Sequence, residues 1–389
     1  MSRYDFLNAL LHFLAFFMGA GIGSFLNVVI YRVPLGISVN NPKRSFCPTC
    51  KKQIPMWENI PLFSWLALRG KCSKCASPIS ARYFGVELLT AVLFYAVFWK
   101  LHGPWGLISV WGPQVLCLWV LTALLVSGSF IDIEHFILPH GISVGGTVAG
   151  LLAALWVQEL VGAPTGDHWR GLGVSFGSAA AGIGSLWAIS ELGKLAFGRK
   201  SFRFTEPVEW KIVQPAAEEP PQIHFEKKKL DWWDVFGGGR PTDRLEADFS
   251  ELEVNGRRFG ACKLLLKMET MRITNAEGAH DFENEKIDLE NHPLRGKTTH
   301  VFYSREAMGK GDAFLLMMIG AFLGWKAILF TILAASVLGC VFGTIPRLTG
   351  RAEWSAKIPF GPYLAMGALV WVFWGQLILD WYIAKTMWR

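Results

Sequence analysis

The sequence predicts an all-α polytopic membrane protein with about eight transmembrane helices, a cytoplasmic zinc-binding loop and a β-rich cytoplasmic insertion. Three observations carry this. The 389 residues are 52% hydrophobic, with 18 Trp, 28 Phe and a mean hydropathy of +0.31, more apolar and aromatic than a soluble domain. Four cysteines stand in a paired spacing before the second apolar run. The stretch between Arg199 and Glu306 holds 20 of the 31 acidic residues.

Nearly charge-free runs lie at 7–31, 84–101, 112–131, 141–162, 172–192, 313–324, 326–345 and 361–383. Most approach the ~20 residues that span a bilayer core. The run at 313–324 is short and either extends back through Gly309 or forms a re-entrant piece. The first run is too long for a cleaved signal and merges into Asn27, Tyr31 and Arg32. Residues 32–83 carry nine Lys and Arg against one acid, Glu58, which places that loop in the cytoplasm. Alternation puts 132–140, 194–312 and 346–360 on the same side and both termini outside. The charge of +7 is then mostly topology, and no aromatic-and-basic pattern calls for nucleic acid.

The division that follows is a first helix at 1–31, a cysteine-rich loop at 32–83, helices at 84–198, a soluble insertion at 199–306 and helices at 307–389. Within the insertion, alternation at Glu209–Val213 and at Leu252–Val254, followed by Asn255-Gly256, predicts strands and a hairpin. PAAEEPPQ (215–222) and GGGRP (237–241) read as disordered edges. A tolerated surface insertion is as good a reading as a functional one.

Cys47-Pro-Thr-Cys50 and Cys72-Ser-Lys-Cys75 are separated by 21 residues. Each pair makes a knuckle offering two thiolates, and two knuckles make a closed tetrahedral site for a structural zinc. The plainer reading is four reduced thiols. Cys117, Cys262 and Cys340 read as small packing residues.

Ionisable groups are expensive inside a membrane and tend to mark function. Asp132, in SFIDIEHFILPH (129–140), ends the third run, and Asp312 opens the sixth after Gly309-Lys310-Gly311. By the topology above they share a face and a depth. Two carboxylates in one site can divide the work of peptide hydrolysis, one drawing a proton from water and the other giving one to the leaving amine. The glycines would allow close backbone approach and unusual dihedrals. Against this, Asp312 can be a helix N-cap and Asp132 an interfacial acid. His135 and His140 are five apart, a poor helical metal pair, and Glu134 reads as solvated or as a contact for a basic substrate.

Taken together, GSFLNVVIYRVP (23–34), the cysteine loop through ELLT (47–90), IDIEHFILP (131–139), GKGD with IGAFLGW (309–325) and IPFGPYLAMGAL (358–369) resemble the type IV prepilin peptidase family. The resemblance implies a GxGD-type aspartyl protease of the bacterial inner membrane, with Asp132 and Asp312 as catalytic carboxylates facing the cytoplasm. It implies cleavage of basic leaders from prepilins and pseudopilins after a glycine. It also implies N-methylation of the new N-terminus with S-adenosylmethionine, for which Arg82 and Glu87 are the candidates. Partners would be the lipid bilayer and pilus or type II secretion assembly proteins.

The chain departs from the family pattern at His140, usually Asp or Asn, at Phe314, often Lys, and at Ala91, where many members have Gly. The insertion is longer than usual. A peptidase without methyl transfer, a zinc-scaffolded transporter and a non-enzymatic assembly factor are the competing readings.

Overall fold

The computed structural model describes residues 3–41, 45–47, 49–102, 112–197, 199–214, 221–226, 228–236, 244–254, 256–267, 270–276, 278–283, 294–304, 309–348 and 359–387. It divides into two compact units, Met1–Leu186 with Gly311–Arg389, and Trp187–Lys310.

The first unit is helical. Its elements are α1 (Arg3–Arg32), the short α2 (Phe63–Ala67), α3 (Ala81–His102), α4 (Pro113–His135), α5 (His140–Trp156), α6 (His168–Phe197, which from Trp187 on belongs to the second unit), α8 (Lys310–Leu348), α9 (Gly361–Val370) and α10 (Gln376–Met387). One π-helical turn, Trp371–Gly375, joins α9 to α10. Among the described residues, six helical stretches are long and apolar enough to cross a membrane, and α5, at 17 residues, is shorter. The expectation of eight spans differs at α5 and at α8, where the expected runs 313–324 and 326–345 fall within one helical stretch.

That stretch is not straight. Gly324 interrupts it at φ 79°, ψ 174°, a conformation open to glycine and strained for other residues. A Cβ at Gly320 would sit 2.9 Å from Ile328 Cδ1, whereas eight residues of straight helix separate two positions by about 12 Å. The chain therefore doubles back at Gly324. The first limb packs between α5 and α6: a Cβ at Gly150 would lie 2.9 Å from Ala321 Cβ, and Ser175 Oγ donates to the Ala321 carbonyl over 2.7 Å. The returning limb meets α9, with a Cβ at Gly367 reaching within 3.0 Å of the Thr331 carbonyl.

Helices α1 and α3 pack through small residues, as membrane helices do where side chains gain little by leaving lipid. A Cβ at Gly19 would fall 2.8 Å from Ala91 Cα, and one at Gly23 2.7 Å from Glu87 Cα. One step further, Asn27 Nδ2 donates to the Tyr83 carbonyl over 3.0 Å. The ladder 19–91, 23–87, 27–83 advances four residues up one helix and four down the other. Ala91, a departure from the family pattern, is buried in this seam.

The second unit holds β1 (Arg199–Val213), β2 (Gln222–Phe225), β3 (Lys228–Asp231), α7 (Trp232–Phe236), β4 (Leu245–Val254), β5 (Arg257–Phe259), β6 (Cys262–Leu266), β7 (Thr270–Asn275), β8 (Gly278–Glu283) and β9 (Arg295–Ser304). The described strands form one antiparallel sheet in the order β3-β2-β1-β9-β4-β6-β7-β8, with β5 on β4. Alternation drives it: along β4 every second residue is buried on each side of one irregular step. Trp210, Phe225, Phe236, Phe249 and Val301 centre the core. The expected strand at Glu209–Val213 lies in β1, and Leu252–Val254 turns into β5 with Gly256 at φ 75°. Asn255, residues 215–220 and the GGGRP run lie outside the described residues. First strand pairs with last, Arg199 opposite Ser304, so the unit's two ends lie side by side.

Candidate functional site

Asp132 occupies the last turn of α4 and is buried. The helix ends because Phe136 turns left-handed (φ 54°, ψ 31°), its N–H closing on the Asp132 carbonyl over 2.9 Å. Pro139 then caps α5, which begins at His140. Asp312 lies in the first turn of α8, also buried, and Asp132 is within its electrostatic reach. The structure thus brings the two carboxylates together from different helices.

Two residues complete this arrangement. The Gly361 N–H, at the start of α9, donates to Asp132 Oδ2 over 3.0 Å, and a Cβ there would stand 2.7 Å from that oxygen. Leu138 wedges between the elements: Cβ atoms placed at Gly311 and Gly361 would come within 2.8 and 3.2 Å of its side chain. Gly311 therefore serves close approach, to Leu138 rather than to an acid, and without the unusual dihedral, since it is helical. Leu138 entered the sequence reading only within IDIEHFILP and Gly361 only within IPFGPYLAMGAL, neither with a role at the site. The Phe360-Gly361-Pro362 start of α9, with Pro in the first helical turn, is the signal that pointed there.

The flanking residues fall into place. His140 and Phe314, two departures from the family pattern, touch edge to face with ring centroids 4.8 Å apart. His135 is exposed. Glu134 pairs with Arg82 at the start of α3, and the Arg82 guanidinium also lies 4.9 Å from the Tyr83 ring. Arg82 thus joins the cysteine-loop side of the unit to the end of α4. Glu87, its companion candidate, sits on α3 against α1 and accepts the Leu62 N–H at Oε2 over 2.7 Å.

The sulfurs of Cys47, Cys50, Cys72 and Cys75 all lie within 4.8 Å of one another, with Cys47 and Cys75 at 3.8 Å. A tetrahedral ion at about 2.3 Å from each sulfur requires about 3.8 Å between them. Two matching knuckles produce this geometry. In each, the first cysteine's N–H bonds to a carbonyl five residues on (Lys52, 3.0 Å; Ser77, 2.9 Å), and its own carbonyl accepts an N–H four residues on (Lys51, 2.8 Å; Ala76, 2.9 Å). Lys51 and Ala76 are both left-handed, at φ 59° and 56°, and each knuckle closes with a bridge, Phe46 to Gln53 and Lys71 to Pro78. The Cys47 thiol is pulled down to about 6, chiefly by hydrogen bonding from the Cys50 backbone, and Cys75 is lowered by Ser77. Both effects favour thiolate, the form that binds metal, whereas at Cys50 the Lys52 backbone hydrogen bond is outweighed by burial and the neighbouring Cys47 and Cys75, which push that thiol up to about 11. The four residues fit an ion of the zinc class.

Of the other cysteines, Cys262 is buried in the sheet core and Cys117 is partly buried on α4, as packing residues would be, whereas Cys340 is exposed on α8.

Apolar helices that meet membrane-crossing length, two buried carboxylates at helix ends and a four-thiol knuckle define a polytopic membrane protein with a paired-acid site. Comparison with known proteins gives its kinship. Residues 17–101 match the Bacterial Peptidase A24 N-terminal domain, and residues 294–344 match the Type IV leader peptidase family. The first stretch contains all four cysteines and Glu87, and the second contains Asp312. A Dichelobacter nodosus protein is 37% identical over 209 residues, covering 47% of this chain and 67% of the relative. One from Myxococcus xanthus is 31% identical over 338 residues, covering 87% of this chain and 64% of the relative. One from Stutzerimonas stutzeri is 28% identical over 391 residues, covering 95% and 92%. All three bear the name prepilin leader peptidase/N-methyltransferase. The chain belongs to the type IV leader peptidase family. No solved structure matches it.

Proposed function

We propose that this chain is a membrane aspartic endopeptidase that removes the basic leader of prepilins and pseudopilins after a glycine, and then N-methylates the new N-terminus. The observation that carries the proposal is the burial of Asp132 and Asp312 on two helix ends, within electrostatic reach of one another. One carboxylate takes a proton from water as it attacks the scissile carbonyl, and the other protonates the leaving amine. The Gly361 N–H holds Oδ2 of Asp132, which orients the carboxylate.

Reversal at Gly324 makes two passes of α8. With α5, which the 3₁₀ turn Gln158–Val161 prolongs, the passes number eight. An even number with the basic loop inside puts the cysteine loop, both aspartates and the insertion at the cytoplasmic face of the bacterial inner membrane. Pilus and type II secretion assembly proteins are then the neighbours expected there.

Zinc held by Cys47, Cys50, Cys72 and Cys75 is structural, because all four positions are filled by protein. S-adenosylmethionine, when bound, would supply the methyl group for the new N-terminal amine. Glu87 serves that half of the reaction. Arg82 supports it by tying α3 to Glu134. Incubation of the purified protein with a prepilin and the methyl donor, followed by mass spectrometry, tests both halves. An intact leader would refute the peptidase, and a cleaved but unmethylated product would refute the methyltransferase.

A further inference from the structure

We infer that residues 60–66 of the cysteine-rich loop form a re-entrant wedge that dips back into the bilayer beside α1 and α3, and that lipid acyl chains cover the exposed side chains of Met56, Trp57, Ile60, Phe63 and Leu66. This part of the 32–83 loop, cytoplasmic by its charge, then belongs to the membrane.

Depth is read from α1 and α3. Leu62 is buried in a cluster with Ala20 and Ala91, and the Phe63 ring stacks on Phe17 with centroids 6.1 Å apart. Ala91 lies seven residues inside the charge-free run that starts at 84, and Ala20 eleven residues inside the run that ends at 31. At about 1.5 Å per residue these are depths of about 10 and 16 Å, against a hydrocarbon core about 30 Å thick. Polar groups appear nearer the ends of the runs, where Asn27, whose Oδ1 is buried without a partner, meets the Tyr83 carbonyl.

The outer side of the wedge suits lipid. Met56 and Trp57 are each 73% exposed, and Ile60, Phe63 and Leu66 are at least half exposed. Apolar groups gathered in this way are rarely left to water. Phe63 also continues a row on α1, where Phe17 meets Phe13 at 4.3 Å between centroids, and Phe13 is itself exposed within the span. Residues 53–68 contain no Lys or Arg, whereas Lys51, Lys52, Arg69 and Lys71 flank them. That order fits basic side chains at the headgroups on either side of an apolar dip, with Trp57 at the interface.

Irregular backbone is tolerated at such depth only when the protein meets its polar groups. Pro61 has no N–H to satisfy. Leu62, at φ 67°, ψ −49°, lets the Phe63 N–H bond across it to the Pro61 carbonyl over 2.8 Å, a strained γ-turn. The Leu62 N–H goes to Glu87 Oε2 over 2.7 Å, the Ile60 N–H to Ser64 Oγ over 2.8 Å, and the Ser64 N–H to the Ile60 carbonyl over 3.0 Å. Glu87 thereby holds the tip of the wedge from within α3. Toward the second knuckle, Glu58 accepts the Ser73 hydroxyl over 2.5 Å and Trp65 Nε1 donates to the Ile79 carbonyl over 3.2 Å. The wedge thus seats the knuckle on the membrane.

The test places a fluorescent amino acid at position 63, 66 or 52, one at a time, in the full chain. Each protein is reconstituted into vesicles of phosphatidylethanolamine and phosphatidylglycerol doped with acyl-brominated phosphatidylcholine. The expected result is quenching by lipid bromine and none by aqueous iodide at 63 and 66, and the reverse at 52 on the basic flank. Melting behaviour gauges folding, and should the probe at 63 lower the midpoint, the largely exposed position 66 decides. Iodide quenching at 66 as strong as at 52 overturns the proposal. Protection from iodide that appears only when a prepilin is added also overturns it, since the face would then be a docking surface for substrate and not for lipid.

Discussion

The Gly361 backbone N–H donates to Asp132 Oδ2 across 3.0 Å, linking the start of α9 to the end of α4 over 229 residues of chain. The contact needs glycine, because a Cβ at 361 would stand 2.7 Å from the same oxygen. Gly361→Ala should therefore displace the carboxylate while leaving both acids present. Misplacement on the 1 Å scale can cost about 100-fold in rate. We expect a loss of that order in leader cleavage, with zinc content unchanged. Wild-type rates in this variant would mean the contact does not position the acid.

Asp132→Asn and Asp312→Asn should each abolish cleavage, since general acid and base catalysis each contribute about 10²–10⁴. Both acids are buried, so the neutral amides should leave the protein inserted and no less stable. Mass spectrometry of a co-expressed prepilin reads the result. Measurable processing by either variant argues against a two-carboxylate mechanism.

Purified protein should carry about one zinc per chain. Cys72→Ser should lose it, loosen both knuckles and lower the melting temperature more than it slows cleavage. Ligand thiols must be deprotonated, so protons compete with the metal. Zinc should be retained at neutral pH and released as pH falls, never the reverse. Metal analysis across a pH series checks the sign, and a metal-free variant of equal stability would remove the structural role.

Gly23→Leu should separate α1 from α3, because the new side chain meets Glu87 Cα at once. Overpacking a tight interface costs about 1–3 kcal/mol. Thermal unfolding in detergent should show a lowered midpoint, whereas Gly21→Leu on an open face should not.

Replacing residues 205–300 with a flexible linker should preserve insertion and cleavage, because loop closure costs little and Arg199 and Ser304 are already neighbours. Altered preference among prepilins is the expected change. Complete loss of cleavage in an inserted, zinc-loaded deletion would assign the insertion a part in the active site.

The sequence by itself determined what local chemistry can determine. The cysteine spacing specified two knuckles, since each closes within eight residues. Apolar runs specified the helices, because backbone groups in lipid must bond internally. Strand alternation located β1 and β4. Asp132 and Asp312 were legible because an acid beside an apolar run is costly and therefore conspicuous. Tertiary structure alone decided the rest. Only packing brings Gly361 to Asp132 and Leu138 against Gly311 and Gly361, as these contacts join residues far apart in the chain. Only the returned limb of α8 shows that Gly324 is a turn. The partnership of Arg82 with Glu134, and the orphaned Oδ1 of Asn27, depend on which faces α1, α3 and α4 turn toward one another. A one-dimensional pattern marks an amide or a guanidinium as polar, but its partner is set by helix packing.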